Sequence, residues 1–116
     1  MTSDALKNLV VTTLEDGKAV DAVALDVRTL TSIADAFVIC TATSTRHAKS
    51  LGDKVIVAAK AAGVMPLNVE GVVAAEWILV DLQDIIVHIL LAEQREFYQL
   101  EKLWNTAEAI RQHSAG

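Results

Sequence analysis

The period of the hydrophobic positions changes several times along the chain, and each change marks an element. Between Ser3 and Asp16, the residues Leu6, Leu9, Val10, Thr13 and Leu14 fall at i, i+3, i+4, i+7 and i+8, the stripe of an amphipathic helix. Ser3 is placed to cap that helix and Gly17 to stop it. Val23, Leu25 and Val27 then alternate with Ala22, Ala24 and Asp26, which predicts a half-buried strand. Phe37 to Ala42 is apolar on both parities except at Thr41, so a central strand covered on both faces is expected. Thr43 or Ser44 can cap a long helix carrying Ala48, Leu51, Val55, Ala58, Ala59 and Ala62. Gly63 closes it and Pro66 prevents its continuation. With an extended piece at Leu67 to Val69, this strand and helix make a βαβ unit of the usual right hand, so the sheet must be partly parallel. Glu70 to Glu76 reads as a loop. Phe97, Leu100, Leu103, Trp104, Ala107 and Ile110 set out a C-terminal amphipathic helix, with Glu108 and Arg111 paired three residues apart.

Between that loop and the last helix lies WILVDLQDIIVHIL, Trp77 to Leu90, which reads as an antiparallel hairpin. With the turn centred between Gln83 and Asp84, Asp81 faces Ile86, Leu79 faces His88 and Trp77 faces Leu90, all on one side of the sheet. The other side carries Ile78, Val80, Leu82, Ile85, Val87 and Ile89 and is expected beneath helices. An unpaired buried carboxylate costs several kcal/mol, so the side with Asp81 and His88 is either open to water or supplied with partners. An apolar centre with polar groups for direction suits a protein-binding patch. The plainer reading is an aspartate and a histidine hydrogen-bonded to each other or to backbone, and for Trp77 the pattern leaves core and partner anchor equally open.

Composition narrows the classes. The chain has 116 residues, 53% of them hydrophobic and 22% charged, which fits one ordered α/β domain over 1–116, a small mixed β-sheet with packed helices. The formal net charge is −5, with Lys and Arg never clustered, so the footprint of direct phosphate-backbone binding is missing and a charged partner should be basic. The one cysteine, Cys40, fits a reducing cytoplasmic setting and reads as a small core hydrophobe. No apolar run reaches the roughly 18 residues of a spanning helix, so no membrane partner is expected.

The run ADAFVICTATSTRHA, then VEG, then EWILVDLQDIIVHIL, then REFYQLEKLW resembles the Iojap-like family of ribosomal silencing factors, in order and spacing, from about Val20 to Ala107. The resemblance implies a nucleotidyltransferase-like fold without its active site, no enzymatic activity and no cofactor or metal. It implies binding to the large ribosomal subunit through that subunit's fourteenth protein, at the face that receives the small subunit, and so a lowered translation rate when nutrients are scarce. Carried over residue by residue, the family's Ala-Asp matches Ala34 and Asp35, its Glu-Gly matches Glu70 and Gly71, and its Trp, Asp and Val-His fall on Trp77, Asp81, Val87 and His88. Its Arg and Tyr-x-Leu-Glu-x-Leu-Trp match Arg95, Tyr98, Leu100, Glu101, Leu103 and Trp104. Ala36 replaces a tyrosine that would border the docking surface, Ala42 replaces a glycine, and Gln83 replaces a turn glycine, which asks a residue with a β-carbon to accept φ > 0. The loop GVVAA is greasier than the resemblance implies. The expected partner-binding set is Asp35, Glu70, Asp81 and His88 with the apolar Trp77 and Leu79, facing a basic ribosomal protein.

Two rivals compete for the same residues. In a metal-dependent nucleotidyl- or phosphoryl-transfer enzyme, Asp35, Asp81 and Asp84 would hold Mg²⁺. Such a site calls for a Gly-Ser at the start of the long helix and for two carboxylates one residue apart on the next strand, and TATSTRH supplies no glycine to let backbone approach a phosphate. Ser44 is better explained as a cap than as a nucleophile. His47, His88 and His113 lack metal-ligand spacing. The other rival is a structural domain whose hairpin face makes a homodimer.

Overall fold

The computed structural model describes residues 1–98. Helix α1 (Ser3–Asp16) leads into β1 (Val20–Asp26) and β2 (Ala36–Ala42), followed by α2 (Thr45–Ala61), β3 (Asn68–Glu70), β4 (Trp77–Asp81), β5 (Ile85–Leu91) and α3 (Ala92–Tyr98). The five strands form one mixed sheet in the order β1-β2-β5-β4-β3, parallel between β2 and β5 and antiparallel elsewhere. The expected parallel content is therefore present, and β2, α2 and β3 do form a crossover between strands of one direction. Its two strands are not neighbours, however, because β5 and β4 fill the space between them. Of the C-terminal helix expected from Phe97 to Ile110, only Phe97 and Tyr98 lie within the described residues, at the end of α3; the rest of that expectation falls on residues 99 to 116, outside the described residues.

Helix boundaries agree with the pattern, but not always for the expected reason. The cap of α1 is Thr2, not Ser3: the Thr2 hydroxyl accepts from the Ala5 N–H at 3.1 Å. Ser3 is the first helical residue, and its hydroxyl donates to the Asp35 carboxylate. Gly17 ends α1 without a left-handed φ, and Lys18 takes that conformation instead, at φ +67. Glycine at 17 answers to space, since a Cβ there would stand 2.7 Å from Leu51 Cδ2. At α2 the Ser44 hydroxyl accepts from the His47 N–H at 3.0 Å, and Gly63 closes the helix at φ +86. His47 bridges to the end of α1, with Nδ1 accepting from the Thr43 N–H and Nε2 donating to the Gly17 carbonyl at 2.8 Å.

The hairpin register is the expected one, with Trp77 opposite Leu90, Leu79 opposite His88 and Asp81 opposite Ile86. Period-two alternation then sends Ile78, Val80, Ile85, Val87 and Ile89 to one face, where they are buried against Leu6, Val10 and Leu14 of α1 and Leu51 and Val55 of α2. Strand β2 serves both faces. Val38 and Cys40 join the helix-side core, and Phe37 and Ile39 pack on the other side with Leu25, Val27, Ala34 and Leu90. Burial pushes the Cys40 thiol up to about 12, so it stays protonated and packs as a core hydrophobe. Ala36, expected to border the docking surface, is buried on the helix side instead, on the face opposite Trp77.

Candidate partner-binding face

The sheet face away from α1 and α2 is a grid of side chains fixed by strand register. Glu70 pairs with Leu79, Leu79 with His88, and His88 with Ile39; in the next row Asn68 pairs with Asp81, Asp81 with Ile86, and Ile86 with Phe37. Exposure rises across this grid. Ile39, Leu90 and His88 on the inner strands are buried, Trp77, Leu79 and Asp81 on β4 are half-buried, and Asn68 and Glu70 on the edge strand are exposed. Five of the six expected residues, Glu70, Trp77, Leu79, Asp81 and His88, thus share this face, and only the β3 and β4 members reach solvent freely. The open part is an apolar strip of Trp77 and Leu79 bordered by two carboxylates.

Asp81 and His88 do not meet. The Asp81 Oδ1 accepts from the Gln83 N–H at 2.8 Å, holding the hairpin turn. His88 Nδ1 accepts from the Trp77 indole N–H at 3.1 Å, which fixes the indole direction and places the ring proton on Nε2. Phe37 meets the same imidazole edge-on at 5.3 Å between centroids. Burial pushes the His88 pKa down to about 4, so at neutral pH it is an uncharged acceptor for Trp77. An acid and base pair built from Asp81 and His88 is therefore not assembled here.

Asp35 stands apart from the patch. Its backbone N–H and that of Ala36 both donate to the Asp84 carbonyl, at 2.7 and 3.2 Å, so it borders the hairpin turn, while its carboxylate takes the Ser3 hydroxyl. Beside it is a cavity of about 100 Å³ lined by Ser3, Lys7, Asp26, Arg28, Ala36 and Ile85 among others. The Arg28 guanidinium donates to Asp26 at 2.8 Å and holds that carboxyl down near 2. Among the described residues, no three His, Cys, Asp or Glu side chains converge as a metal site.

Two features of the site were invisible to periodicity. Asn68 joins the patch because β3 pairs with Asp81 and Leu79, a long-range register that no local pattern carries. Gly71 lies so near Trp77 that a Cβ on it would stand 1.9 Å from the Trp77 carbonyl oxygen, and its φ is +82. The Glu-Gly pair in the sequence was the only trace of that close approach. Arg95 also acts at a distance, donating to the Asp21 carbonyl at 2.7 Å and to the Thr41 hydroxyl at 3.0 Å, and so straps α3 to β1 and β2.

Comparison with known proteins bears on the same chain. A family model described as "Ribosomal silencing factor during starvation" matches residues 1–115. A ribosomal silencing factor of Haemophilus influenzae is 45% identical over 100 residues, 86% of this chain and 98% of its own. The crystal structure of a protein from Chromobacterium violaceum matches with a TM-score of 0.88 at 37% identity, over 90% of this chain and 88% of that one. A mouse protein named "Mitochondrial assembly of ribosomal large subunit protein 1" is 38% identical over 73 residues, 60% of this chain and 32% of its own length.

Proposed function

Since the chain belongs to the family of ribosomal silencing factors, we propose that it is a cytoplasmic, non-enzymatic repressor of translation that docks on the large ribosomal subunit and keeps the small subunit from joining. The family name carries a ribosome-associated silencing role, and the name of the mouse relative speaks for the large subunit. The docking contact is a basic protein of that subunit, the fourteenth by family resemblance. The observation that carries this reading is the open half of the sheet face, where Trp77 and Leu79 make an apolar strip between the carboxylates of Glu70 and Asp81. An apolar centre with an acidic border, on a chain of net charge −5, complements an apolar patch ringed by Lys and Arg. His88 serves it from beneath by fixing the indole. Asp35 would contribute at the sheet end, beside the hairpin turn.

Co-sedimentation with separated large and small subunits, at low and at moderate salt, tests the reading. Binding to the large subunit alone is expected, weaker at the higher salt because the pairing is electrostatic. Asp81→Ala and Leu79→Ala, each checked for an unchanged far-UV spectrum, should weaken it by roughly tenfold or more, as expected for groups at the centre of an interface. Equal retention of the variants and the parent chain would move the docking surface elsewhere, and no retention of the parent chain on either subunit would overturn the proposal.

A further inference from the structure

Half of the large hydrophobic side chains that stand exposed among the described residues fall in one stretch, 65 to 73, around the edge strand β3. Met65 is 66% exposed, Leu67 65%, Val72 43% and Val73 95%. Among the described residues, neither Val72 nor Val73 belongs to a core cluster. The turn from Gly71 to Ala75 is held by other groups: the Ala75 N–H donates to the Gly71 carbonyl at 2.9 Å, Ala75 is fully buried, and Gly71 lies hard against the Trp77 backbone. The two valines are therefore presented on a turn that is already rigid. Covering them would bury apolar area at little ordering cost. The close approach of Gly71 to the Trp77 backbone sets this turn beside the start of β4, the strand that carries Trp77 and Leu79. Exposed Glu70 and Glu76 flank its base.

We propose that Val72 and Val73 form a preformed apolar knob that extends the docking face past the edge of the sheet and seats in an apolar depression, rimmed by Lys or Arg, on the same large-subunit protein. This rests on the docking reading given above. The acidic flanks choose the occupant. A second copy of the chain would set Glu70 and Glu76 against like charges, whereas a basic rim would pair with them.

The test compares the full chain with a Val72→Ser, Val73→Ser double variant and with Val57→Ser, a control on α2 that is 66% exposed. Thermal melts should coincide for all three, because none of these side chains supports the core. Affinity for isolated large subunits should fall roughly tenfold in the double variant, from loss of the apolar contact, and stay unchanged in the control. Full affinity of the double variant, with the parent chain binding well, would overturn the knob and leave the docking reading standing. A parent chain that fails to bind would overturn both. A double variant that keeps its affinity but turns a dimeric parent into a monomer would overturn the assignment in favour of a second copy as occupant.

Discussion

Desolvation decides what His88 can do. Its Nδ1 accepts the Trp77 indole proton, and its Nε2 is buried without a hydrogen-bond partner among the described residues, an arrangement tolerable for a neutral imidazole and costly for a charged one. With its pKa lowered to about 4, the folded state refuses a proton that the unfolded chain binds at about 6.5. The unfolded state then holds more protons between those values, so His88 makes stability fall as pH drops through that window. Between pH 7 and pH 5 the loss should be roughly 2 kcal/mol. Urea unfolding at both pH values checks it, and His88→Phe should show a smaller pH dependence. Asp26 acts with the same sign in a more acidic window: its carboxyl, lowered to about 2 by Arg28, favours the fold above the ordinary carboxylate range and loses that contribution as pH falls towards 2.

At the scale of elements, the turns at the two ends of β4 make opposite demands. Gly71, before it, occupies φ +82 and has the Trp77 carbonyl where a Cβ would go. Gly71→Ala should therefore cost about 3 kcal/mol or more, because backbone must move to admit the methyl. Gln83, after it, stands at φ +74 with a full side chain. The expected difficulty of that substitution is real, and Asp81 offsets part of it by binding the Gln83 N–H. Gln83→Gly should raise stability by about 1 kcal/mol, the relief of a left-handed β-carbon less the entropy cost of glycine. Paired denaturation curves of the two variants check both signs at once. A stable Gly71→Ala protein would mean that the edge of the docking face is soft.

For the whole molecule, the layering bears on how the proposed repression would work. Both long helices lie on one side of the sheet, and among the described residues Trp77, Leu79 and Asp81 of β4 stay half-buried and Glu70 of β3 exposed on the other face. On the docking proposal above, a protein of this shape would act by occupying space. Added to large subunits before small subunits, it should lower the yield of joined ribosomes in a sucrose gradient; added after joining, it should have far less effect, because its surface is then covered. Equal effects in either order would rule out occlusion as the mechanism.

Strong local periodicity was enough to determine much of this protein. The alternation in Trp77 to Leu90 fixed the hairpin, its register and its buried face, because a slip of one residue would expose six aliphatic side chains. The stripes of α1 and α2 and the cap at Ser44 were legible in the same way, and so was the sharing of one hairpin face by Trp77, Leu79, Asp81 and His88; Glu70 and Asp35 joined the candidate set only through the family resemblance. Tertiary structure alone decided the rest. It inserted β5 beside β2 and left β3 at the edge, where Asn68 meets Asp81. It separated Asp35 from the patch, turned Ala36 to the helices, paired His88 with Trp77 in place of Asp81, and pressed Gly71 against a carbonyl. Each of these depends on which strands are neighbours, and pairing between distant segments is set by how the whole apolar surface is buried, which no window along the chain contains.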